Sequence, residues 1–383
     1  MPSEQSEDQP VQGLPLSRLD GPLQLPAIVY GAGAFSNQYN TDDHLASQIP
    51  LRTIRLALRQ ARTPWLVLYG IRAFDTSTYY GPSEVILGGV LKSLEEEFPR
   101  SSYQLMTKCG RYGVNNFDYA PTTIRDGVMR SLSRLQTDYL DTVYLHDVEF
   151  VATPVLPRVS GNHATALTTE KREYGLIEGE EAEIRGDGDR KILDAYGELQ
   201  KLQEEGIVKH IGITGYPLPT LLRLALLILH QPPYKPIDVI LSYSHLSLQN
   251  TTFLDFAPHF YERAKVKQLV AASPLSMGLL RPNPPPWHPA PKGLLDAVHK
   301  ARSGWPGDFP DLALGYAIRN TGAKHRNVPL VVGFSNPHEV HECMKVWRQV
   351  QEGFETAERE DGEDRAKEVF RQSGFLDWSW PSP

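Results

Sequence analysis

GIRAFDTSTYYGPSEVILGGVLKSLEEEF, residues 70–98, contains the unit from which the fold is read. A short apolar run stops at Asp75, a Gly-Pro turn follows, and residues 83–98 place apolar side chains three and four apart, the spacing of an amphipathic helix. The same strand-then-helix unit recurs along the chain. LPAIVYGAG (25–33) precedes IRLALRQA (54–61), SYQLMTK (102–108) precedes TTIRDGVMRSLSRLQT, and DYLDTVYLHD leads, after a detour, to KILDAYGELQKLQEEG (191–206). Then come VKHIGITG with LPTLLRLALLILH, PIDVILSYS with TTFLDFAPHFYERA, KQLVAASPL with FPDLALGYAIRNTG, and VPLVVGFS with NPHEVHECMKVWRQV. Strict alternation predicts a parallel sheet covered by helices, and eight repeats fit a closed barrel better than an open doubly wound sheet. No G-x-G-x-x-G follows the first strand. The expected fold class is therefore α/β, a single (β/α)8 TIM barrel whose core runs from about residue 25 to 350.

Composition narrows the function. Charged residues at 22% and hydrophobic ones at 40% suit a globular enzyme. The longest apolar stretch, LLRLALLIL at 221–229, is too short to span a bilayer, so no membrane partner is expected. A net charge of −7 without a long basic run argues against nucleic acid, which leaves a small-molecule substrate; a monomer or homodimer is expected, and the sequence does not set which. Two cysteines build neither a disulfide framework nor a metal cluster, and the acidic start lacks the features of a secretory or mitochondrial leader, so a cytoplasmic location is expected.

Four segments interrupt or flank the repeat: a polar tail over 1–20, an acidic insertion over 150–187, a Pro-rich loop over 281–305, and a charged tail over 352–383 read as a solvated helix to residue 370. The two internal segments follow strands, which predicts long loops at the C-terminal face, either lids and substrate loops or tolerated surface insertions.

Strand ends carry the chemistry. Asp75, Lys108 and His146 close the second, third and fourth strands, and Tyr80 lies just beyond Asp75. In a barrel these ends converge on the face that holds active sites. A phenol titrates near pH 10, so exchange of protons nearer neutrality calls for a cation beside it; Lys108 is placed to lower its pKa, Asp75 to fix that ammonium, and His146 to donate to a substrate oxygen.

FDTSTYYGPSEVILGGVLKSL, LMTKCGRYG, SLSRLQTDYLDTVYLHD, GIVKHIGITGYP, ASPLSMGLL and VVGFSNPHEV, spread over residues 74–340, resemble the aldo-keto reductase family. The resemblance implies a barrel without a Rossmann domain, a nicotinamide cofactor at the C-terminal face, and a catalytic tetrad of Asp75, Tyr80, Lys108 and His146 with Tyr80 as general acid/base. Tyr79 is the rival by position, but the family spacing, Tyr-Gly before the Ser-Glu helix, selects Tyr80. By the same resemblance Gly33, Thr214, Gly215, Ser273, Leu275, Gly333, Ser335, Glu339 and Glu342 are cofactor positions. Two departures concern the nicotinamide: Ala272 stands where many members carry an aromatic ring, and Ile240 or a neighbour replaces a glutamine.

NADP-specific relatives offer a Lys or Arg after the eighth strand, whereas this chain has Gly333, Ser335 and Glu339 there, which favours NAD over NADP. Glu339 has two readings, a selector for the ribose hydroxyl or the third residue of a capping arrangement begun by Asn336 and Pro337. TKCGRYG, LHDVEF, HIGITGYPL and PPPWHPAP resemble the family's sugar dehydrogenases, which implies NAD-dependent oxidation of an aldopyranose (D-arabinose, L-galactose or L-fucose) at C1 to a lactone. Tyr79, Tyr112, Asp147 and Trp287, with Ser244 and His245, are the candidate sugar contacts. The alternatives are an NADPH-dependent reductase of aldehydes or pyridoxal, and a non-catalytic barrel that senses cofactor.

Overall fold

In the computed structural model, residues 6–16, 21–59, 69–322, 327–354 and 356–383 are described. Parts of the expected N-terminal tail, and the last two residues of the expected helix 54–61, lie outside them. The strands are β1 (Ile28–Gly31), β2 (Ala73–Asp75), β3 (Gln104–Cys109), β4 (Arg111–Gly113), β5 (Asn116–Phe117), β6 (Leu140–Leu145), β7 (Val208–Gly215), β8 (Val239–Tyr243), β9 (Gln268–Ala272) and β10 (Leu330–Gly333). The helices are α1 (Asp42–Ala46), α2 (Ile49–Leu58), α3 (Ser83–Ser93), α4 (Pro121–Leu135), α5 (Asp187–Glu204), α6 (Leu218–Leu229), α7 (Thr252–Glu262), α8 (Lys292–Ser303), α9 (Phe309–Arg319), α10 (Pro337–Glu352) and α11 (Thr356–Gln372).

Eight strands close into a barrel in the order β1-β10-β9-β8-β7-β6-β3-β2. Seven lie within the runs expected from the sequence, and β3 continues one residue past its run, to Cys109, because a strand buried on both faces reads as a largely apolar segment. The closed (β/α)8 architecture is thus as expected. The pair β4-β5 forms a separate antiparallel ribbon that the alternation did not announce.

Register places the strand-end residues. Asp75 pairs with Met106, Lys108 with Tyr144, and Thr142 with Met106. Side chains alternate along a strand, so Lys108 shares a side with Met106 and hence with Asp75; His146, two beyond Tyr144, shares it as well.

The chain divides into two compact units, Met1–Val151 with Arg190–Ile213 and Val331–Arg348, and Ala152–Asp189 with Thr214–Leu330 and Gln349–Pro383. In the first, Tyr30 is fully buried among Phe35, Phe74 and Phe334, and its hydroxyl donates to the Phe334 carbonyl at 2.8 Å. Arg348 holds the N-terminal segment through the carbonyls of Val11 and Leu14 at 2.9 and 3.0 Å.

In the second unit the core gathers Tyr216, Leu294, Val298, Phe309, Phe370 and Trp380. Two expectations change here. The Pro-rich segment 281–305 is not all loop, since α8 occupies Lys292–Ser303 and buries Leu294, Ala297, Val298 and Ala301. The charged tail is helical, but α11 is not simply solvated: Ala366 and Phe370 enter the apolar cluster, and Arg359 and Glu363 are buried too. The part of the acidic insertion within this unit is folded through its charges. Arg158 pairs with Glu170, and Arg223 of α6 grips both Asp189 oxygens at 2.8 and 2.9 Å and the Thr153 carbonyl at 3.0 Å.

Candidate active site

The segment after β2 bends back to present Tyr80. Gly81 adopts φ +56°, a left-handed conformation that glycine takes without strain, and the Tyr80 N–H donates to the Ser77 carbonyl at 3.1 Å. The Ser83 hydroxyl, bonded to the Ala32 carbonyl at 2.7 Å and to Thr76 Oγ1 at 2.8 Å, ties the start of α3 to the turn after β1. In that turn Gly33 faces the Tyr80 ring: a Cβ there would sit 3.5 Å from Cε2.

Lys108 is 2% exposed, and its Nζ lies 2.5 Å from Asp75 Oδ1, 3.0 Å from the Thr76 carbonyl and 4.8 Å from the centre of the Tyr80 ring. Burial works to neutralise the ammonium, but Asp75 and Tyr80 outweigh it, so Lys108 stays charged beyond the usual lysine range. Burial pushes the Asp75 carboxyl up against the opposing pull of Lys108. For Tyr80 the balance differs from the sequence expectation: burial raises the phenol, Lys108 lowers it, Asp75 and Asp147 raise it, and the net direction is upward. The lysine acts in the expected sense and is outweighed by desolvation.

His146 follows β6, is 3% exposed, and stands perpendicular to the Tyr80 ring with centroids 5.8 Å apart. Its neighbours bear on its charge. Ser77 Oγ accepts the Tyr79 N–H at 3.0 Å and lies 2.9 Å from His146 Nδ1, a contact in which either atom can donate according to the imidazole tautomer. Burial, with Lys108 and Arg111 nearby, pushes the imidazole well below its usual range. The ring is therefore held neutral; in the tautomer that accepts from Ser77 at Nδ1, Nε2 carries the proton.

Asp147 adopts φ +54°, and its Oδ2 lies 3.5 Å from His146 Nε2. The same oxygen is held by Arg111 Nη1 in a pair of which both side chains are 4% exposed. Asp147, expected as a sugar contact, is thus bound to Arg111. Burial raises its carboxyl, with Arg111 and then Lys108 opposing. Arg111 stacks on the Tyr79 ring at 4.0 Å, reaches the Tyr79 hydroxyl at 3.3 Å and lies 5.2 Å from both Phe117 and Phe150. Arg111 and Ser77 escaped the sequence reading, although both stand in stretches quoted for the family likeness. A cation three residues after Lys108 was the available signal.

The other expected residues divide. Tyr112 turns to α4, its hydroxyl donating to the Thr123 carbonyl at 3.2 Å; burial pushes that phenol up to about 12, and the tetrad does not include it. His245 is packed between Ser242 Oγ at 3.3 Å and Ser379 Oγ at 3.2 Å, and burial lowers it to about 3, so it serves the core of its own unit. Ser244 is buried at φ +63°, and Trp287, half-buried, stacks on His288. Thr214 and Gly215 end β7 as buried residues, and Ala272 and Ile240 are buried in β9 and β8. Ser273, at φ +59°, accepts the Met277 N–H at 2.7 Å, and Leu275 packs against the apolar cluster.

At the end of β10, Gly333 is exposed and Ser335 bonds to Asn40 Nδ2 at 2.9 Å and to His44 Nε2 at 2.9 Å. Glu339 Oε2 accepts the Ser335 N–H at 2.7 Å, while the Glu339 N–H donates to Asn336 Oδ1 at 3.1 Å. Of its two readings, capping has the geometry. Glu342 pairs with Lys345 at 2.9 Å. Residues 333–339 contain no lysine or arginine.

The sequence model of the aldo/keto reductase family matches residues 27–357. The chain belongs to the aldo/keto reductase family. Within it, D-arabinose 1-dehydrogenase of Saccharomyces cerevisiae is 34% identical over 355 residues, 91% of each chain. L-galactose dehydrogenase of Arabidopsis thaliana is 33% identical over 326 residues, 84% of this chain and 83% of that one. Among solved structures, an aldo-keto reductase from Bacillus halodurans superposes with a TM-score of 0.56 at 21% identity, covering 94% of this chain and 96% of that one, a likeness of fold. Oxidoreductase chemistry with a nicotinamide cofactor follows from membership of the family. Among the described residues no helix is long and apolar enough to cross a membrane.

Proposed function

We propose that this chain is an NAD-dependent aldose 1-dehydrogenase that oxidises an aldopyranose at C1 to the lactone, with D-arabinose as the first substrate to test and L-galactose and L-fucose next. The observation that carries it is the buried Lys108–Asp75 pair set against Tyr80, with His146 perpendicular to the same ring. The names of the two relatives spanning most of the chain support the substrate class.

A bound nicotinamide would supply the hydride acceptor. Gly33, Thr214, Gly215, Ser273, Leu275, Gly333, Ser335 and Glu342 are the residues proposed to hold it; the exposed backbone at Gly333 leaves room for close approach, and the absence of a cation in 333–339 supports NAD. Tyr80, as phenolate beside the Lys108 ammonium, takes the proton of the C1 hydroxyl. His146 Nε2–H holds that oxygen and fixes its orientation toward Tyr80. Because burial raises the Tyr80 phenol, oxidation is expected to run fastest on the alkaline side of neutrality.

The test is a screen of aldoses with NAD, read as NADH absorbance, with Tyr80→Phe as control. Turnover of D-arabinose or a stereochemical relative, lost in Tyr80→Phe while cofactor binding persists, is the expected result. If Tyr80→Phe keeps most activity, or the wild-type protein reduces aldehydes with NADPH and oxidises no aldose, the assignment is wrong.

A further inference from the structure

We propose that Arg111 is a positioning residue for His146: by clamping Asp147 it keeps that carboxylate from capturing the imidazole N–H that the substrate oxygen needs. The inference rests on the reading of Tyr80 and His146 as the pair that handles the reacting oxygen.

The geometry sets up a competition. In the tautomer proposed, Ser77 donates to Nδ1 across their 2.9 Å contact, so that the one N–H His146 has to give is on Nε2. Asp147 Oδ2 lies 3.5 Å from Nε2, just beyond a good hydrogen bond. That oxygen is instead drawn onto Arg111 Nη1. Asp147 Oδ1 is buried with no hydrogen-bond partner, so the carboxylate has unspent accepting capacity beside the ring.

Arg111 is itself fixed from several sides. Its guanidinium stacks on Tyr79, bonds to the Tyr79 hydroxyl, contacts the Val114 carbonyl at 3.5 Å, and sits beside Phe117 and Phe150, whose rings stack at 4.8 Å. The ribbon β4-β5 supplies Arg111 and Phe117, which gives this element a role: it carries the clamp. A planar guanidinium so enclosed has little freedom to follow Asp147 toward the histidine.

The other groups facing the ring are accounted for. Lys108 with Asp75 comes from β3 and β2, Ser77, Tyr79 and Tyr80 from the loop after β2, and Tyr119 from the segment before α4, its hydroxyl 2.5 Å from the His146 carbonyl. Cys109 gives only its carbonyl, 2.9 Å from the His146 N–H. Among the described residues Asp147 is the carboxylate that approaches Nε2, and Arg111 holds it. With Arg111 gone, Asp147 turns to the imidazole, ties up its proton and favours the imidazolium.

The experiment compares Arg111→Gln, Asp147→Asn and the double variant. Arg111→Gln is expected to cut kcat/KM for the aldose with NAD at pH 7 by about tenfold or more and to add an acid-side ionisation to its pH profile. Asp147→Asn is expected to stay within a few-fold of wild type with an unshifted profile, and the double variant to recover most of what Arg111→Gln loses. NMR titration of the His146 imidazole, assigned with His146→Gln, is expected to show protonation near neutrality in Arg111→Gln alone. A purely structural pair would make both single variants comparably poor and the double no better; that pattern, or an unshifted Arg111→Gln titration, overturns the proposal. Should Arg111→Gln fail to fold, Asp147→Asn still decides, because a loss above tenfold there means Asp147 is itself required. Absence of any aldose turnover by the wild-type protein would sink the proposed function, while the imidazole titration would still read this inference.

Discussion

Replacing Lys108 by methionine keeps the length of the side chain and removes its charge. Its Nζ lies 4.8 Å from the centre of the Tyr80 ring, and the phenol oxygen stands no more than about 7.5 Å away. At an effective dielectric constant of about 20, one unit charge at those distances stabilises a phenolate by about 2 to 3.5 kcal/mol. Its loss leaves the phenolate about 30 to 400 times scarcer wherever Tyr80 is mostly protonated. Asp75, now unpaired 2.5 Å from where the ammonium stood, pushes the same way. The assay is kcat/KM for D-arabinose with NAD from neutral to strongly alkaline pH. The expected profile falls by that factor near neutrality and rises toward wild type as the pH climbs. Breaking the buried pair also destabilises the fold by about 3 to 5 kcal/mol, so Lys108→Met/Asp75→Asn serves as the folded control. A loss equal at every pH would refute the role given to Lys108, since a missing charge must act on the phenol's ionisation.

Initial rates on D-arabinose are expected to favour NAD over NADP; Glu339→Gln should leave that preference within a few-fold and lower the melting temperature instead, because its carboxylate caps α10 through the Ser335 N–H. A swing toward NADP in Glu339→Gln would restore the selector reading. Glu363, paired with Arg319 in α9 and raised by burial to about 7, is a carboxyl whose folded value exceeds its unfolded one. Its contribution to stability is full below the ordinary glutamate range and is lost as pH rises through about 7, so Glu363→Gln should flatten melting temperature against pH across that window.

The barrel was legible because short, largely apolar runs alternate with helical ones eight times, and the gathering of Asp75, Lys108 and His146 because register carries strand-end residues to one side. Elsewhere local pattern was too short or too ambiguous. β4 and β5 span three and two residues, below the length at which alternation speaks. In α8 a helical period was masked by the prolines before it, and in α11 by charges that conceal a buried stripe through Glu363, Ala366 and Phe370. Tyr112 shows a different limit: a residue near the rim can turn to either face, and Thr123 decided the matter. The rise of Tyr80 could not be read from spacing, because desolvation depends on how completely a ring is enclosed. Sequence placed Lys108 beside the phenol but said nothing of the burial that outweighs it.

The neighbouring position of β1 and β10 has a consequence for how the chain comes to be folded. Val331–Arg348 belongs to the same compact unit as the first strands, and Tyr30 meets Phe334 across 304 residues. That unit cannot be finished until nearly all of the intervening chain exists, and a nascent chain stopped before β10 would hold an unpaired, wholly apolar edge at β1. Its synthesis therefore includes a long interval in which Asp75, Tyr80, Lys108 and His146 all exist while the seam beside β1 is open. A fragment cut before residue 330 is expected to aggregate rather than fold, although it carries all four of the residues proposed for catalysis.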